Sequence, residues 1–284
     1  MNPKQKRPRA AFCLIIVAIM LAGAGVCLYG DREKLAGYIE TQTIYQELAD
    51  AVVHETPAEG VKQSQEQLAV HRAEKNLHRP QLQTALPLVQ LTWKPSGIID
   101  FETLYRRNHD VVAWLRCDGT VINYPVVQNA SNVYYLKHSF NRRPLFSGTI
   151  FVDAYNAPGF VDANTLLYGH NLRNGSMFAR LLRYKRQAYY DEHPTMTLYT
   201  PVGDYLVELI AGYVVNMSAE SIPMRFDDEE EFGEYLTRIR ERSTFLSQAT
   251  ATTDDRLVTL ITCSYEYSNG RYVVVGKLTP ILYP

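Results

Sequence analysis

The stretch that decides the fold reads Leu257-Val258-Thr259-Leu260-Ile261-Thr262-Cys263, then Ser264 to Gly270, then Arg271-Tyr272-Val273-Val274-Val275. Two runs dense in β-branched and aliphatic residues flank a short connection ending in Asn269-Gly270, which is a hairpin signal. Antiparallel pairing would set the end of the first run beside the start of the second, with Cys263 and Arg271 at one rim. A guanidinium there stays protonated, favours a thiolate and can donate to a developing oxyanion. An unperturbed thiol has a pKa of ~8.5, so nucleophilic work at neutral pH calls for such a neighbour or for a partner base.

Upstream, the candidate partner is His170 in Thr165-Leu166-Leu167-Tyr168-Gly169-His170-Asn171. It closes an apolar strand and meets a polar loop, a placement suited to exchanging protons with a substrate, and an unperturbed imidazole pKa of ~6.5 fits that task. Taken singly, a strand cysteine also reads as core packing and a histidine as a surface or structural group. Spacing alone does not bring the two together.

The rest of the chain beyond Trp93 has the same texture. Candidate strands are Thr120 to Val127, Thr149 to Asp153, Thr165 to His170, Thr195 to Thr200, Tyr205 to Val215, Leu257 to Cys263 and Tyr272 to Leu278. Many short strands without βαβ alternation predict a closed or sandwiched β architecture. Three helices interrupt it. One opens at Asp100 as N-cap with Phe101, Leu104 and Tyr105 on one side, and another begins at Ser176 with Phe178, Leu181 and Leu182 facing inward. The third starts at Asp227 with Glu230 three residues on, a capping-box pattern, and carries Phe232, Tyr235, Leu236, Ile239 and Leu246. Its acidic start and basic later part match the helix dipole, which accounts for the Asp227 to Glu230 run without a metal.

Composition bounds the partners. The chain has 284 residues, 46 % hydrophobic, and a formal charge of -1. Lys4, Lys6, Arg7 and Arg9 fall in the first thirty residues, leaving 25 Lys and Arg against 30 Asp and Glu, a net -5 for the remainder. A body of that charge argues against a nucleic-acid partner. Residues Ala10 to Gly30 run without a charge, and at ~1.5 Å per helical residue they match a bilayer core of roughly 30 Å. With the basic tail of residues 1–9 ahead of it, this span predicts a signal-anchor helix with the N-terminus cytoplasmic and the rest outside the membrane. A cleaved signal peptide is the rival, given Ala22-Gly23-Ala24-Gly25, although the apolar run is long for one. Residues 31–96 read as a helical stalk or linker broken at Thr56 to Gly60, leaving 97–284 as the main β-rich domain, the catalytic domain if His170, Cys263 and Arg271 act together. Cys13 and Cys27 lie in the apolar run; Cys117 and Cys263 fall beyond it, where a pair invites a disulfide reading.

At this point the motifs as a set resemble a known family. Leu260-Ile261-Thr262-Cys263 with Arg271 resembles the TLxTC…R signature of the sortases, and Tyr168-Gly169-His170-Asn171 resembles their histidine segment. The class B subgroup is indicated by Asn108 to Leu115, Gly119 to Gln128, Asn132 to Leu136 and Phe146 to Asp153, which follow in family order over roughly residues 97 to 284. The resemblance implies an eight-stranded sortase-type β-barrel with N-terminal helices and a helical insertion between late strands. It implies a cysteine transpeptidase, without cofactor or metal, with Cys263 as nucleophile, His170 as proton carrier and Arg271 holding the oxyanion. The expected substrates are secreted proteins with a C-terminal sorting motif cleaved after Thr, and the acceptor is an amine of a peptidoglycan precursor or of a pilin. By the same analogy Asn132, Leu136, Tyr168 and Ile222 line the peptide groove. Ile261 stands where class B members often carry Ser, which removes one polar contact to the peptide, and Ala113 stands where Gly is commoner.

Overall fold

Strands form where β-branched and aromatic residues cluster. In the computed structural model, which describes residues 32, 34–54, 92–264, 266 and 268–283, they are β1 (Thr92–Trp93), β2 (Val111–Arg116), β3 (Asn123–Gln128), β4 (Ile150–Val152), β5 (Asn164–Tyr168), β6 (Thr195–Tyr199), β7 (Tyr205–Asn216), β8 (Arg256–Cys263), β9 (Gly270–Pro280) and β10 (Leu282–Tyr283). Eight of them close into a barrel in the order β2-β3-β4-β5-β8-β9-β7-β6, with β6 pairing back onto β2. The chain is therefore mainly β and built on a closed eight-stranded barrel. The short β1 and β10 form a separate antiparallel pair.

Two of the barrel ladders are parallel, β3 with β4 and β5 with β8; the others are antiparallel. A parallel ladder needs a long crossover, and the second of these brings strands far apart in sequence side by side. The β2 strand escapes a reading by alternation because Val111, Ala113, Trp114 and Leu115 are all buried. Strands covered on both faces lose the period of two.

The helix at Phe101–Arg107 begins as expected, with the Asp100 side chain accepting from the Thr103 N–H at 2.9 Å. The late insertion is the helix Glu229–Glu241, between β7 and β8. Its Phe232, Tyr235 and Ile239 join a buried cluster with Ile210, Tyr213, Leu257, Val273 and Val275, each such side chain contributing about 1.5–3 kcal/mol when fully buried. The cap is one residue later than the sequence suggests. Asp228 accepts from the Glu231 N–H, and Glu231 reaches back to the Asp227 N–H. The helix ends at Glu241, so Leu246 is not on its apolar face but in the following loop, 84 % exposed. The segment expected to start a helix at Ser176 is a 3-10 stretch, Phe178–Lys185, followed by the short helix Gln187–Glu192.

The chain divides into two compact units, Met1–Ile44 and Tyr45–Pro284. In the first, residues 34–44 are helical. The second begins ahead of the expected boundary at 97, because residues 45–54 belong with the barrel. Tyr45, Leu48 and Val52 are 3 %, 2 % and 0 % exposed. The Tyr45 hydroxyl donates to the Gly148 carbonyl, its ring meets Tyr124 edge-on, and Val53 bridges to Ile99. The basic tail, the apolar span 10–30 and stalk residues 55–91 lie outside the described residues. Among the described residues no helix is long and apolar enough to cross a membrane.

Candidate active site

Parallel strands end at the same edge of a sheet, and this places the site. The β5–β8 ladder runs from Asn164 opposite Leu257 to Tyr168 opposite Ile261. It continues past the strand ends: the Gly169 N–H donates to the Ile261 carbonyl at 3.1 Å, the Thr262 hydroxyl to the Gly169 carbonyl at 2.9 Å, and the Asn171 amide to the Cys263 carbonyl at 2.9 Å. Hence His170 and Cys263 arrive at one rim. Gly169 is required there by space, since a Cβ would come within 2.5 Å of Ile150 and 2.6 Å of Phe178.

Arg271 reaches the rim by the hairpin. It sits opposite Cys263 in the antiparallel β8–β9 register, and Asn269 takes the left-handed conformation, φ 60°, at the turn. Its guanidinium donates to the Gly270 carbonyl at 2.9 Å, which orients the fork without neutralising it. The connection after Cys263 is fastened by Lys185, whose ammonium lies 2.7 Å from Glu266.

His170 is held by its Nε2, 2.8 Å from the Leu136 carbonyl oxygen. A carbonyl only accepts, so Nε2 carries a proton and Nδ1 is the position free to take or release one. Leu136 thus contributes its backbone to the histidine as well as its side chain to the groove.

These residues surround one open groove of about 290 Å³, lined by Asn132, Leu136, Tyr168, His170, Cys263 and Arg271 together with Phe151, Gly169, Met217, Ile261 and Thr262. The structure therefore gathers six of the seven residues singled out from the sequence. Ile222 is not among the lining residues: it is buried at 6 % in the cluster containing Val215, Ile261 and Val273, against which Met217 and Tyr168 pack. Its side chain supports the groove from within. Met217 and Phe151 line it in addition. Phe151 stacks on Tyr168 with ring centroids 5.3 Å apart. Burial, and secondly the nearby Asp153 carboxylate, push the Tyr168 phenol pKa up, so it stays protonated. Ile261 makes that part of the floor apolar.

The disulfide reading does not hold. Cys117 and Cys263 are both free thiols. Cys117 is buried, and burial pushes its pKa up; its sulfur lies 3.7 Å from the Tyr184 hydroxyl and 3.8 Å from the Thr195 carbonyl. Cys263 is partly exposed in the groove. A thiol, an imidazole and a guanidinium around an open cleft suit nucleophilic attack on an acyl group, with charge developing on oxygen beside Arg271.

A family model for the sortase domain matches residues 115–279. Sortase B of Listeria monocytogenes is 36 % identical over 181 residues, 63 % of this chain and 74 % of that protein. Sortase B of Staphylococcus aureus is 32 % identical over 183 residues, 64 % of this chain and 75 % of that protein. Among solved structures, a Staphylococcus aureus sortase B–substrate complex superposes with a TM-score of 0.65 at 26 % identity, covering 85 % of this chain and 97 % of that one. Clostridium perfringens sortase B gives 0.60 at 35 % identity, covering 63 % and 100 %. The chain belongs to the sortase family of cysteine transpeptidases. Within that family it is of class B.

Proposed function

We propose that this chain is a membrane-anchored extracellular transpeptidase that cuts a sorting motif near the C-terminus of secreted proteins. The observation that carries the reading is the convergence of Cys263, His170 and Arg271 on one open groove. The Cys263 thiolate attacks the carbonyl of the motif's threonine, Arg271 stabilises the oxyanion, and His170 as imidazolium protonates the departing amine. This leaves a thioester and a neutral histidine. An amine of a cell-wall precursor or a pilin then gives its proton to His170, attacks the thioester carbonyl and releases Cys263. Asn132, Leu136 and Tyr168 bind the peptide, and residues 10–30 anchor the chain with its N-terminus in the cytoplasm.

The test is mass spectrometry of products from a library of sorting peptides offered with candidate amines. A peptide fragment joined through its threonine to an added amine supports the reading. Fragments ending only in a free carboxylate, whatever the amine, would make the chain a hydrolytic cysteine peptidase instead.

A further inference from the structure

Tyr168 lines the groove, and its hydroxyl is already committed. It donates to Asp153 Oδ2 at 3.0 Å. Asp153 is 4 % exposed, directly after β4, and its other oxygen accepts from the Tyr155 N–H at 2.9 Å. The backbone around it is pinned too: the Asp153 N–H donates to the Leu166 carbonyl at 2.9 Å, and its carbonyl accepts from the Gln128 amide at 3.1 Å. One residue on, the Ala154 N–H donates to Asn132 Oδ1 at 2.7 Å. A single turn thus holds two groove side chains, Tyr168 and Asn132.

The chemistry follows from counting protons. A phenol has one, and a buried carboxylate can only accept. We propose that Asp153 is a positioning residue: by accepting the one hydrogen bond that the Tyr168 hydroxyl can donate, it leaves that oxygen only an acceptor toward the groove, so this wall selects a hydrogen-bond donor, a backbone N–H of the bound peptide. The inference rests on the reading of the groove as a peptide site. Closing the turn takes one carboxylate oxygen, which accepts from the Tyr155 N–H, and leaves the other for a second donor. That donor is a groove tyrosine, so the bond that satisfies the buried oxygen also fixes which way the phenol proton points.

Asp153→Asn separates the two roles. Its single amide oxygen can keep the Tyr155 N–H, which turns the amide NH₂ toward the phenol. The phenol oxygen then accepts from the protein, and its proton points at the groove as a donor. The polarity of the wall is reversed while the turn stays closed.

Two measurements on the full chain decide the matter. The first uses [ζ-¹³C]tyrosine labelling, with the Tyr168 signal assigned by its loss in Tyr168→Phe. That signal is expected to move in Asp153→Asn. It requires no turnover, so it reports the pairing whatever substrate the groove takes, and an unmoved signal would overturn the proposal. The second takes a peptide that the wild type cleaves and replaces each backbone amide in turn by an ester, which deletes one N–H. One position is expected to lower wild-type kcat/KM by about five- to tenfold, the range of a single neutral hydrogen bond, and to cost Tyr168→Phe and Asp153→Asn less than about twofold. Equal penalties in all three proteins, or no position-specific penalty in the wild type, would show that Asp153 only braces the turn.

Discussion

Cys263 and Arg271 are register partners across the β8–β9 ladder, the last residue of one strand opposite the second residue of the next. The fork of Arg271 is therefore delivered to the nucleophile by backbone pairing and does not depend on a flexible loop. Arg271→Lys keeps the positive charge but loses the planar fork. Loss of one oxyanion donor costs ~10²–10³ in turnover, and a fall of that size is expected in the single-turnover acylation rate. Iodoacetamide reactivity of Cys263 should change much less. Unchanged acylation would move the oxyanion donors to backbone N–H groups near Cys263.

The two thiols of the barrel should differ sharply. Cys117 is 2 % exposed and pushed toward its protonated form, whereas Cys263 lies in the open groove. Peptide mapping after brief alkylation of the folded protein should find Cys263 modified and Cys117 untouched. Cys117→Ser should retain activity, and a large loss in a well-folded variant would give the buried thiol a role that this structure does not.

A chain trimmed to begin at Trp93 should be markedly less stable than one beginning ahead of Tyr45. Trimming uncovers the surfaces under Tyr45, Leu48 and Val52 and leaves the Gly148 carbonyl without its donor. Tyr45→Ala alone should cost about 3–5 kcal/mol in urea unfolding, the usual size for emptying a buried aromatic site. A shift below about 1 kcal/mol would show that residues 45–54 rest on the barrel without contributing to it.

The Cys263–Arg271 pairing could be read because both strands and their turn are local in sequence. The convergence of His170 with Cys263 rested on resemblance, since it depends on the parallel β5–β8 ladder, which no local pattern encodes. Phe151 and Met217 are not legible as groove residues, because an apolar residue in a groove has the same sequence pattern as one in a core. For the same reason the sequence does not tell whether Ile222 faces the groove or, as in this structure, the cluster beneath it. Tyr45, Leu48 and Val52 carry a helical spacing, but nothing in the segment itself names the surface it covers.

Asp162 gives the fold a pH dependence with a definite sign. Burial pushes its carboxyl upward, but hydrogen bonds from the Asn156 amide, the Ala157 N–H and the Arg225 guanidinium outweigh this and hold it below the usual range. A depressed folded value contributes stability above the unfolded pKa of ~3.9 that is lost as pH falls through the folded value. Asp162→Asn should cost about 2–3 kcal/mol at pH 7, with the gap to wild type narrowing below about pH 4. A gap independent of pH would mean that the carboxylate charge is not what Asn156 and Arg225 are holding.

The central claim is that Cys263 carries the acyl group, and intact-protein mass spectrometry tests it most directly. Wild-type protein is mixed with a cleavable sorting peptide in the absence of amine and quenched in acid. The account predicts an added mass equal to the peptide fragment ending at threonine, mapped to Cys263, removed by hydroxylamine and absent from a folded Cys263→Ala variant that neither cleaves nor transfers. Peptide cleavage by Cys263→Ala at near the wild-type rate, or an adduct mapped to any other residue, would contradict it.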